Sequence, residues 1–234
     1  QFLGKESQLA RTGVWLVGAR GGVSTTVIAG LAAMKRQLTQ RIGLLTETSL
    51  FEQCDLPSID DLIIGGHEIR DGSLRSSAEA ICADSGSISH DIIEQISDDL
   101  EQVDKHIRPG VLLNAGEAIL SLQGIDRSCI ADHPTPALER IESDLRQFIE
   151  DQQLDGIVVV NLSSTEAALP PHPCHQTAAE MLQQLAAGSA EPFRSSTLYA
   201  IAAAHVGASL INFTPSPGAL LPATCELLEA HGCA

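Results

Sequence analysis

The chain has little positive charge and few aromatic residues. Lysine and arginine together number 14 among 234 residues, against 30 acidic ones, and the formal net charge is -16. Such a surface repels nucleic acid and anionic membranes, so we expect neither as a partner. Aromatic residues make up 3% of the chain and hydrophobic residues 44%, which predicts a large core built mainly from aliphatic side chains.

Several motifs are also missing. No Gly-Lys-Ser or Gly-Lys-Thr occurs, which argues against a Walker phosphate loop. The six cysteines form no Cys-x-x-Cys pair, so we expect reduced thiols in a cytoplasmic protein. His172, Cys174 and His175 lie close together, but no partner pair stands at zinc spacing, and no metal site is predicted. No signal peptide is evident, and no apolar run is long enough to span a membrane.

A glycine-rich stretch organises the chain. Apolar residues 14–17 precede Gly-Ala-Arg-Gly-Gly at 18–22, and a proline-free apolar stretch follows over 27–40. In a strand, turn and helix of this order, the first helical N–H groups and the positive end of the helix dipole can bind a phosphate. The dinucleotide fingerprint G-x-G-x-x-G is met only in part, because Arg20 stands where the second glycine is expected. The placement favours a pyrophosphate site, and an ordinary glycine turn is the alternative.

Predicted strands and helices alternate along the whole chain. Apolar runs predict strands near residues 13–17, 41–48, 61–66, 110–114, 156–162 and 209–213. Helices are predicted over 27–40, 76–106 with a break near Gly86, 134–153, 177–187, 197–206 and 217–232. The central strands are continuously apolar, as expected when both faces are covered. We therefore predict an α/β fold of the Rossmann-like, doubly wound class, with a mostly parallel sheet and helices on both faces.

One acidic residue at a strand end should bind the adenine ribose. Ligands of such sheets bind at the carboxyl ends of the strands, and an acid there can accept from the ribose hydroxyls. Glu47 ends the predicted second strand about 25 residues after the glycines, close to the usual ~20. Glu68 follows the next predicted strand. Spacing alone favours Glu47, and a solvated carboxylate is the alternative at either position.

Four segments at predicted strand ends resemble the myo-inositol-1-phosphate synthase family, and its bacterial branch in particular. They are VGARGG at 17–22, GGHEI at 65–69, VVNLSSTE at 159–166, and SSTLYA at 195–200 followed by INFTPS at 211–216. Their order and approximate spacing also match, so the resemblance covers nearly the whole chain from Thr12. Residues 1–11 have the character of a polar lead-in, and the resemblance implies one NAD-binding Rossmann-like domain over residues 12–234.

The resemblance implies which residues bind NAD. Glu68 takes the position of the family's ribose-binding acid, in conflict with the spacing argument for Glu47. We prefer Glu68, because the family commonly inserts residues between the first helix and this strand. The residues expected to bind the cofactor are Gly18, Ala19, Arg20, Gly21, Gly22, Val23, Glu68, Asn114, Ala115, Ser163, Ser164, Thr165, Phe213 and Thr214.

The resemblance also implies a reaction. The family converts D-glucose 6-phosphate to 1L-myo-inositol 1-phosphate without net redox change, through oxidation, enolisation, intramolecular aldol cyclisation and reduction. It implies a role in inositol and phospholipid biosynthesis, a cytoplasmic location and a homo-oligomer, by family resemblance a tetramer. In the family, several lysines supply the positive charge needed beside developing oxyanions. They come after a segment that does not occur in this sequence up to Ala234. We therefore expect a cofactor domain that does not turn over alone, with the catalytic and oligomerisation part missing after residue 234.

Two other functions stay open. An NAD-dependent dehydrogenase with net redox needs a base near the nicotinamide, but Tyr199 is the only tyrosine and no Tyr-x-x-x-Lys pair exists. A non-catalytic nucleotide-binding or scaffolding module needs no lysines, and only Lys5, Lys35 and Lys105 occur here. No catalytic residue is predicted from the sequence.

Overall fold

Five parallel strands form the central sheet. The structure is a computed structural model that describes residues 11–54 and 56–233. The described strands are β1 (Thr12–Val17), β2 (Leu62–Glu68), β3 (Ile107–Pro109), β4 (Leu112–Leu113), β5 (Ile130–Ala131), β6 (Gly156–Asn161) and β7 (Ser209–Asn212). The large sheet has the order β3-β2-β1-β6-β7, and β4 pairs with β5 in a separate two-stranded sheet. The order reverses between β1 and β6, where a doubly wound sheet opens a crevice for ligands.

Helices cover both faces of this sheet. The described α-helices are α1 (Gly22–Lys35), α2 (Leu74–Ser85), α3 (His90–Gln95), α4 (Ser97–Asp104), α5 (Glu117–Leu120), α6 (Pro134–Gln152), α7 (Ala178–Ala186), α8 (Ser195–Val206) and α9 (Pro222–Ala230). Side chains of β1 alternate between two cores, as successive residues of a strand must. Trp15 packs with the core that includes α6 and α8, and Leu16 packs with the core that includes α1 and α4. The predicted α/β fold is confirmed.

Most predicted elements are present with shifted ends. β1, β2, β6 and β7 lie where apolar runs predict them, and α6 matches its predicted bounds closely. The predicted break near Gly86 is confirmed, because this residue ends α2 with a left-handed φ of 65°. The rest of that region forms two further helices, and the run at 110–114 contributes only the short strand β4. In the described part of the chain, no helix combines the length and apolar character that crossing a membrane requires.

The strand predicted over residues 41–48 is wrong. Two short 3-10 helices, Leu45–Glu47 and Ser49–Phe51, occupy this region and bury none of their residues. Gly43 has a φ of 93°, which no strand adopts, and Ile42 is 86% exposed. The second strand of the sheet is therefore β2, and Glu68 rather than Glu47 stands at its carboxyl end. The polar lead-in expected over residues 1–11 lies outside the described residues, apart from Arg11.

Candidate dinucleotide site

The glycine loop turns sharply between β1 and α1. Gly18 has a φ of 85°, and a Cβ there would lie 3.3 Å from the carbonyl oxygen of Leu162. Glycine meets both demands, because it has no Cβ and adopts positive φ without strain. The N–H groups of Gly18 and Ala19 both donate to the carbonyl of His67, at 2.9 and 3.0 Å. The loop, which follows β1 in the chain, is thereby also held at the end of β2.

The N-terminus of α1 is left open to a ligand. Its N-cap residue Gly21 makes no side-chain cap hydrogen bond, and the first turn carries no acidic residue. Gly22 and Val23 are exposed, and a Cβ at Gly22 would meet nothing within 4 Å. First-turn N–H groups have no partner within a helix, so here they are available to an anion. A pyrophosphate fits this arrangement of backbone donors.

A cavity of about 340 Å³ lies in front of this helix end, at the carboxyl ends of β1, β2 and β6. Its volume falls within the usual range for small-molecule sites, roughly 300–1,000 Å³. Eight of the predicted cofactor residues line it: Gly18, Gly21, Gly22, Val23, Glu68, Ala115, Ser163 and Ser164. Further lining residues that sequence reasoning did not assign to the cofactor are Val17, His67, Ile69, Arg70, Val111, Leu112, Ile119, Leu122, Leu162, Glu166, Ser195, Ser196 and Tyr199. The structure thus brings the glycine loop and the predicted strand ends into one cavity.

Six predicted residues lie outside the lining of this cavity: Ala19, Arg20, Asn114, Thr165, Phe213 and Thr214. Asn114 has a positive φ of 52°, and its side-chain amide donates to the carbonyls of Ala190 and Phe193. This asparagine anchors a loop. Phe213 is 72% exposed, and Thr165 is also exposed. Contacts of these residues with a cofactor stay predictions.

Arg20 can stand at the position of the second glycine of the fingerprint, because its side chain points away from the cavity. Its guanidinium binds Asp104 at 2.8 Å, at the C-terminal end of α4. The other oxygen of Asp104 accepts the N–H of Leu74, the first residue of α2, at 2.8 Å. The backbone N–H of Arg20 still faces the site and donates to Glu68 at 2.8 Å.

Glu68 holds the rim of the cavity together. Its Oε2 accepts from Arg20, and its Oε1 accepts the N–H groups of Ile69 and Arg70, at 2.9 and 3.2 Å. The guanidinium Nε of Arg70 lies 3.5 Å from the same Oε1. Glu47 does not line the cavity and binds Arg41 on an exposed 3-10 helix. Of the two acids considered from the sequence, Glu68 lines the cavity and Glu47 does not.

A polar chain of hydrogen bonds begins at His67 and Tyr199 in the wall of the cavity and runs away from it to Asp144. Nδ1 of His67 is 2.9 Å from the hydroxyl of Tyr199, and Nε2 is 3.0 Å from Asp144, which also binds Arg108. Burial lowers the pKa of His67, although Asp144 acts to raise it. Burial also raises the pKa of Tyr199. A neutral His67 therefore accepts from the Tyr199 hydroxyl and donates to Asp144, and this chain fixes α8 and α6 against the end of β2.

Glu166 closes the opposite side of the cavity at the start of α8. Its Oε1 accepts the N–H of Ser196 at 2.8 Å, and its Oε2 accepts the hydroxyl of the same serine. Burial raises the pKa of Glu166, although its hydrogen bonds with Ser196 act to lower it. Sequence reasoning assigned neither Arg70 nor Ser196 to the cofactor. Arg70 lies two residues after Glu68, and Ser196 lies in the SSTLYA segment at the start of α8, so these two short segments carry the available signal.

Fold and site together define a nucleotide-binding domain of the Rossmann-like class. A family model described as myo-inositol-1-phosphate synthase, and designated as an NAD-binding domain, matches residues 12–234. The chain belongs to this family, as its strand-end segments predict.

Two curated relatives match this chain at low identity, and each is longer than this chain. An inositol-3-phosphate synthase 1 of Bacteroides thetaiotaomicron is 23% identical, over 92% of this chain and 51% of the relative. An inositol-3-phosphate synthase of Dictyostelium discoideum is 24% identical, over 97% of this chain and 48% of the relative. The chain therefore spans about half the length of the curated relatives it matches.

Solved structures with the same fold carry similar names. The inositol-3-phosphate synthase of Caenorhabditis elegans superimposes with a TM-score of 0.78 at 22% identity, over 97% of this chain and 48% of that one. A myo-inositol-1-phosphate synthase-related protein of Thermotoga maritima gives a TM-score of 0.58 at 20% identity, over 87% of this chain and 48% of that one. At these identities the likeness shows the fold.

Proposed function

We propose that this chain is the NAD-binding portion of an enzyme that converts D-glucose 6-phosphate to 1L-myo-inositol 1-phosphate. The observation that carries the proposal is the uncapped N-terminus of α1, which opens onto the cavity beside Glu68. Membership in the family and the names of the relatives support the proposed reaction. We also propose a cytoplasmic homo-oligomer, a tetramer as the family resemblance implies, acting in inositol and phospholipid biosynthesis.

Each part of the cavity has a proposed role toward NAD. The first-turn N–H groups of α1 would bind the pyrophosphate, and Glu68 would accept from the adenine ribose. Ser163 and Ser164, which follow β6 on the other side of the strand-order reversal, would face the nicotinamide half. When bound, the dinucleotide supplies a reversible hydride acceptor, so that the substrate can be oxidised and later reduced.

Phosphate binding and enolate stabilisation need further cations. Among the described residues that line the cavity, Arg70 is the only lysine or arginine. Positive groups placed at developing oxyanions supply much of the stabilisation in such reactions. We therefore propose that, in the relatives, the lysines lie in the half of the sequence to which this chain does not align. We also propose that the 234-residue chain by itself binds NAD but does not catalyse the reaction.

The proposed reaction is tested with the full-length gene product, glucose 6-phosphate and catalytic NAD. We expect inositol phosphate to form without accumulation of NADH, because the hydride is returned within each turnover. Steady accumulation of NADH would instead indicate a dehydrogenase. Binding of NAD without any product would indicate a non-catalytic nucleotide-binding module, and either result would overturn the synthase proposal.

The role of Glu68 is tested by substitution in the 234-residue chain. Glu68→Ala should weaken NAD binding by roughly tenfold or more, because a charged hydrogen bond contributes about 1.5–3 kcal/mol and tenfold corresponds to 1.4 kcal/mol. It should also reduce the preference for NAD over NADP, because the ribose hydroxyls lose their acceptor. Glu47→Ala is the matched control and should leave affinity unchanged in calorimetry. Unchanged affinity of Glu68→Ala for both cofactors would reject the role of Glu68.

A further inference from the structure

A second cavity lies at the opposite end of the sheet from the candidate dinucleotide site. Its volume is about 210 Å³, and residues of α1, of α4 and of the start of β2 line it. The dinucleotide cavity faces the first turn of α1, whereas this one extends to its last residue, and a helix of 14 residues is about 20 Å long. The two cavities can therefore be occupied at the same time.

The walls of this second cavity are mainly apolar. Aliphatic side chains from all three elements line it: Ile28, Leu31, Ala32, Leu62, Ile64 and Val103. A water takes up about 30 Å³ of the liquid, so the space corresponds to roughly seven water-sized groups. It lies below the usual range for drug-sized ligands, roughly 300–1,000 Å³, and fits a short aliphatic chain.

Lys35, the last residue of α1, places a positive charge at the rim of this cavity. Its Nζ donates to the backbone carbonyl of Leu62 at 2.9 Å and to that of Asp60 at 3.4 Å. An ammonium group has three N–H donors, so one remains for a ligand. Within the described part of the chain, the contacts of this ammonium are with carbonyl oxygens rather than with a carboxylate.

The charges around Lys35 leave room for an anion. Two of the acids near it, Asp60 and Asp99, each bind an arginine. Burial lowers the pKa of Lys35, although these two acids and Asp61 act to raise it. A carboxylate from a ligand would compensate the positive charge that burial disfavours, and the repulsion from Asp61 limits how much such an ion pair contributes.

We propose that this cavity binds a small aliphatic monocarboxylate of about six carbons, with its tail between α1 and α4 and its carboxylate on Nζ of Lys35. The apolar walls match the tail, and the remaining N–H group of the ammonium matches the head. The described residues that line this cavity differ entirely from those that line the dinucleotide cavity. The inference therefore does not depend on the proposed function.

The site is tested by titrating the isotope-labelled 234-residue chain with butanoate, hexanoate, hexanol and hexylamine, and by following the amide signals in NMR spectra. Shifts should centre on residues 28–35, 62–64 and 99–106 rather than on the glycine loop. Each added methylene should tighten binding roughly fourfold, so hexanoate should bind about 15-fold more tightly than butanoate. Hexanoate should bind about fivefold more tightly than the uncharged hexanol, and hexylamine should bind more weakly than either.

Lys35→Met tests the head of the ligand, and Val103→Phe tests its tail. Lys35→Met should remove the preference for hexanoate over hexanol and leave the affinity for hexanol unchanged. Val103→Phe narrows the cavity and should weaken the binding of both. Arg146→Met is the matched control, because Arg146 binds Glu142 within α6 and lines neither cavity, so both affinities should remain those of wild type.

Several results would overturn the proposed carboxylate site. They are equal affinities of hexanoate and hexanol in wild type, tighter binding of hexylamine, an unchanged preference in Lys35→Met, or no shift with any ligand. Shifts centred on the glycine loop would show that the carboxylate binds at the start of α1 instead. The wild-type series is decisive even if Val103→Phe fails to fold.

Discussion

Gly66 leaves no room for a side chain in the middle of the sheet. A Cβ at this position would lie 2.2 Å from the carbonyl oxygen of Leu16 and 2.8 Å from the Cβ of Ala19. Leu16 is the register partner of Gly66 on β1, so the clashing oxygen belongs to a neighbouring strand and cannot rotate away freely. The glycine therefore allows β2 to pass beside β1, the strand that precedes the glycine loop.

Gly66→Ala should destabilise the chain by about 1–3 kcal/mol, the usual cost of forcing extra atoms into a packed interior. Gly30→Ala is the matched control, because Gly30 lies in α1 and a Cβ there would meet nothing within 4 Å. That change should stabilise by about 0.5–1 kcal/mol, since alanine favours helix over glycine. Urea unfolding of both variants measures the difference, and equal midpoints would contradict the close approach at Gly66.

At the scale of elements, the sequence predicts those helices and strands that a local pattern determines. It does not predict those that depend on pairing with distant segments. β1 and β6 are apolar runs with glycine nearby, and α6 has a clean helical spacing, so all three are predictable from neighbouring residues. Residues 41–48 have a similar apolar run, but Gly43 takes a conformation that no strand allows. An apolar run does not by itself make a segment a strand of the sheet.

The candidate site is predictable where one segment carries it. The glycine loop follows from its own motif and Glu68 from the resemblance at GGHEI, whereas spacing alone favours Glu47; the glycine loop and Glu68 both line the cavity. The hydrogen bond between His67 and Tyr199 joins residues 132 positions apart, and no local pattern indicates such a pair. The Arg20 side chain turns out of the cavity, and the Arg70 side chain lies along its rim. The direction of each likewise depends on the elements packed around it.

The stability of the whole molecule should depend on pH through one buried residue. His67, on β2, joins Tyr199 of α8 and Asp144 of α6, so it links three elements on one side of the sheet. Burial lowers the pKa of His67 below its ordinary value of 6.5, although Asp144 opposes this. As pH falls below 6.5, the unfolded chain binds a proton at this histidine that the folded chain does not bind. The contribution is therefore complete above pH 6.5 and is lost progressively below it.

His67→Gln should make the free energy of unfolding depend less steeply on pH below 6.5. The difference in slope from wild type should reach at most about 1.4 kcal/mol per pH unit, the linkage of a single proton. Chemical unfolding between pH 7.5 and 5 measures both slopes. The other histidines are present in both proteins and cancel in the comparison. Parallel curves for the two proteins would show that His67 titrates alike in the folded and unfolded states.

The outward course of the Arg20 side chain shows what the glycine loop requires of a residue at this position. The position needs a particular backbone path and an amide that reaches Glu68, and a bulky side chain is tolerated when another element binds it. Here the receiver is Asp104, which also holds the first residue of α2. The two positions are consequently coupled: loss of the acid would leave a guanidinium that is only 17% exposed without its ion-pair partner, and would also remove the acceptor of the Leu74 N–H.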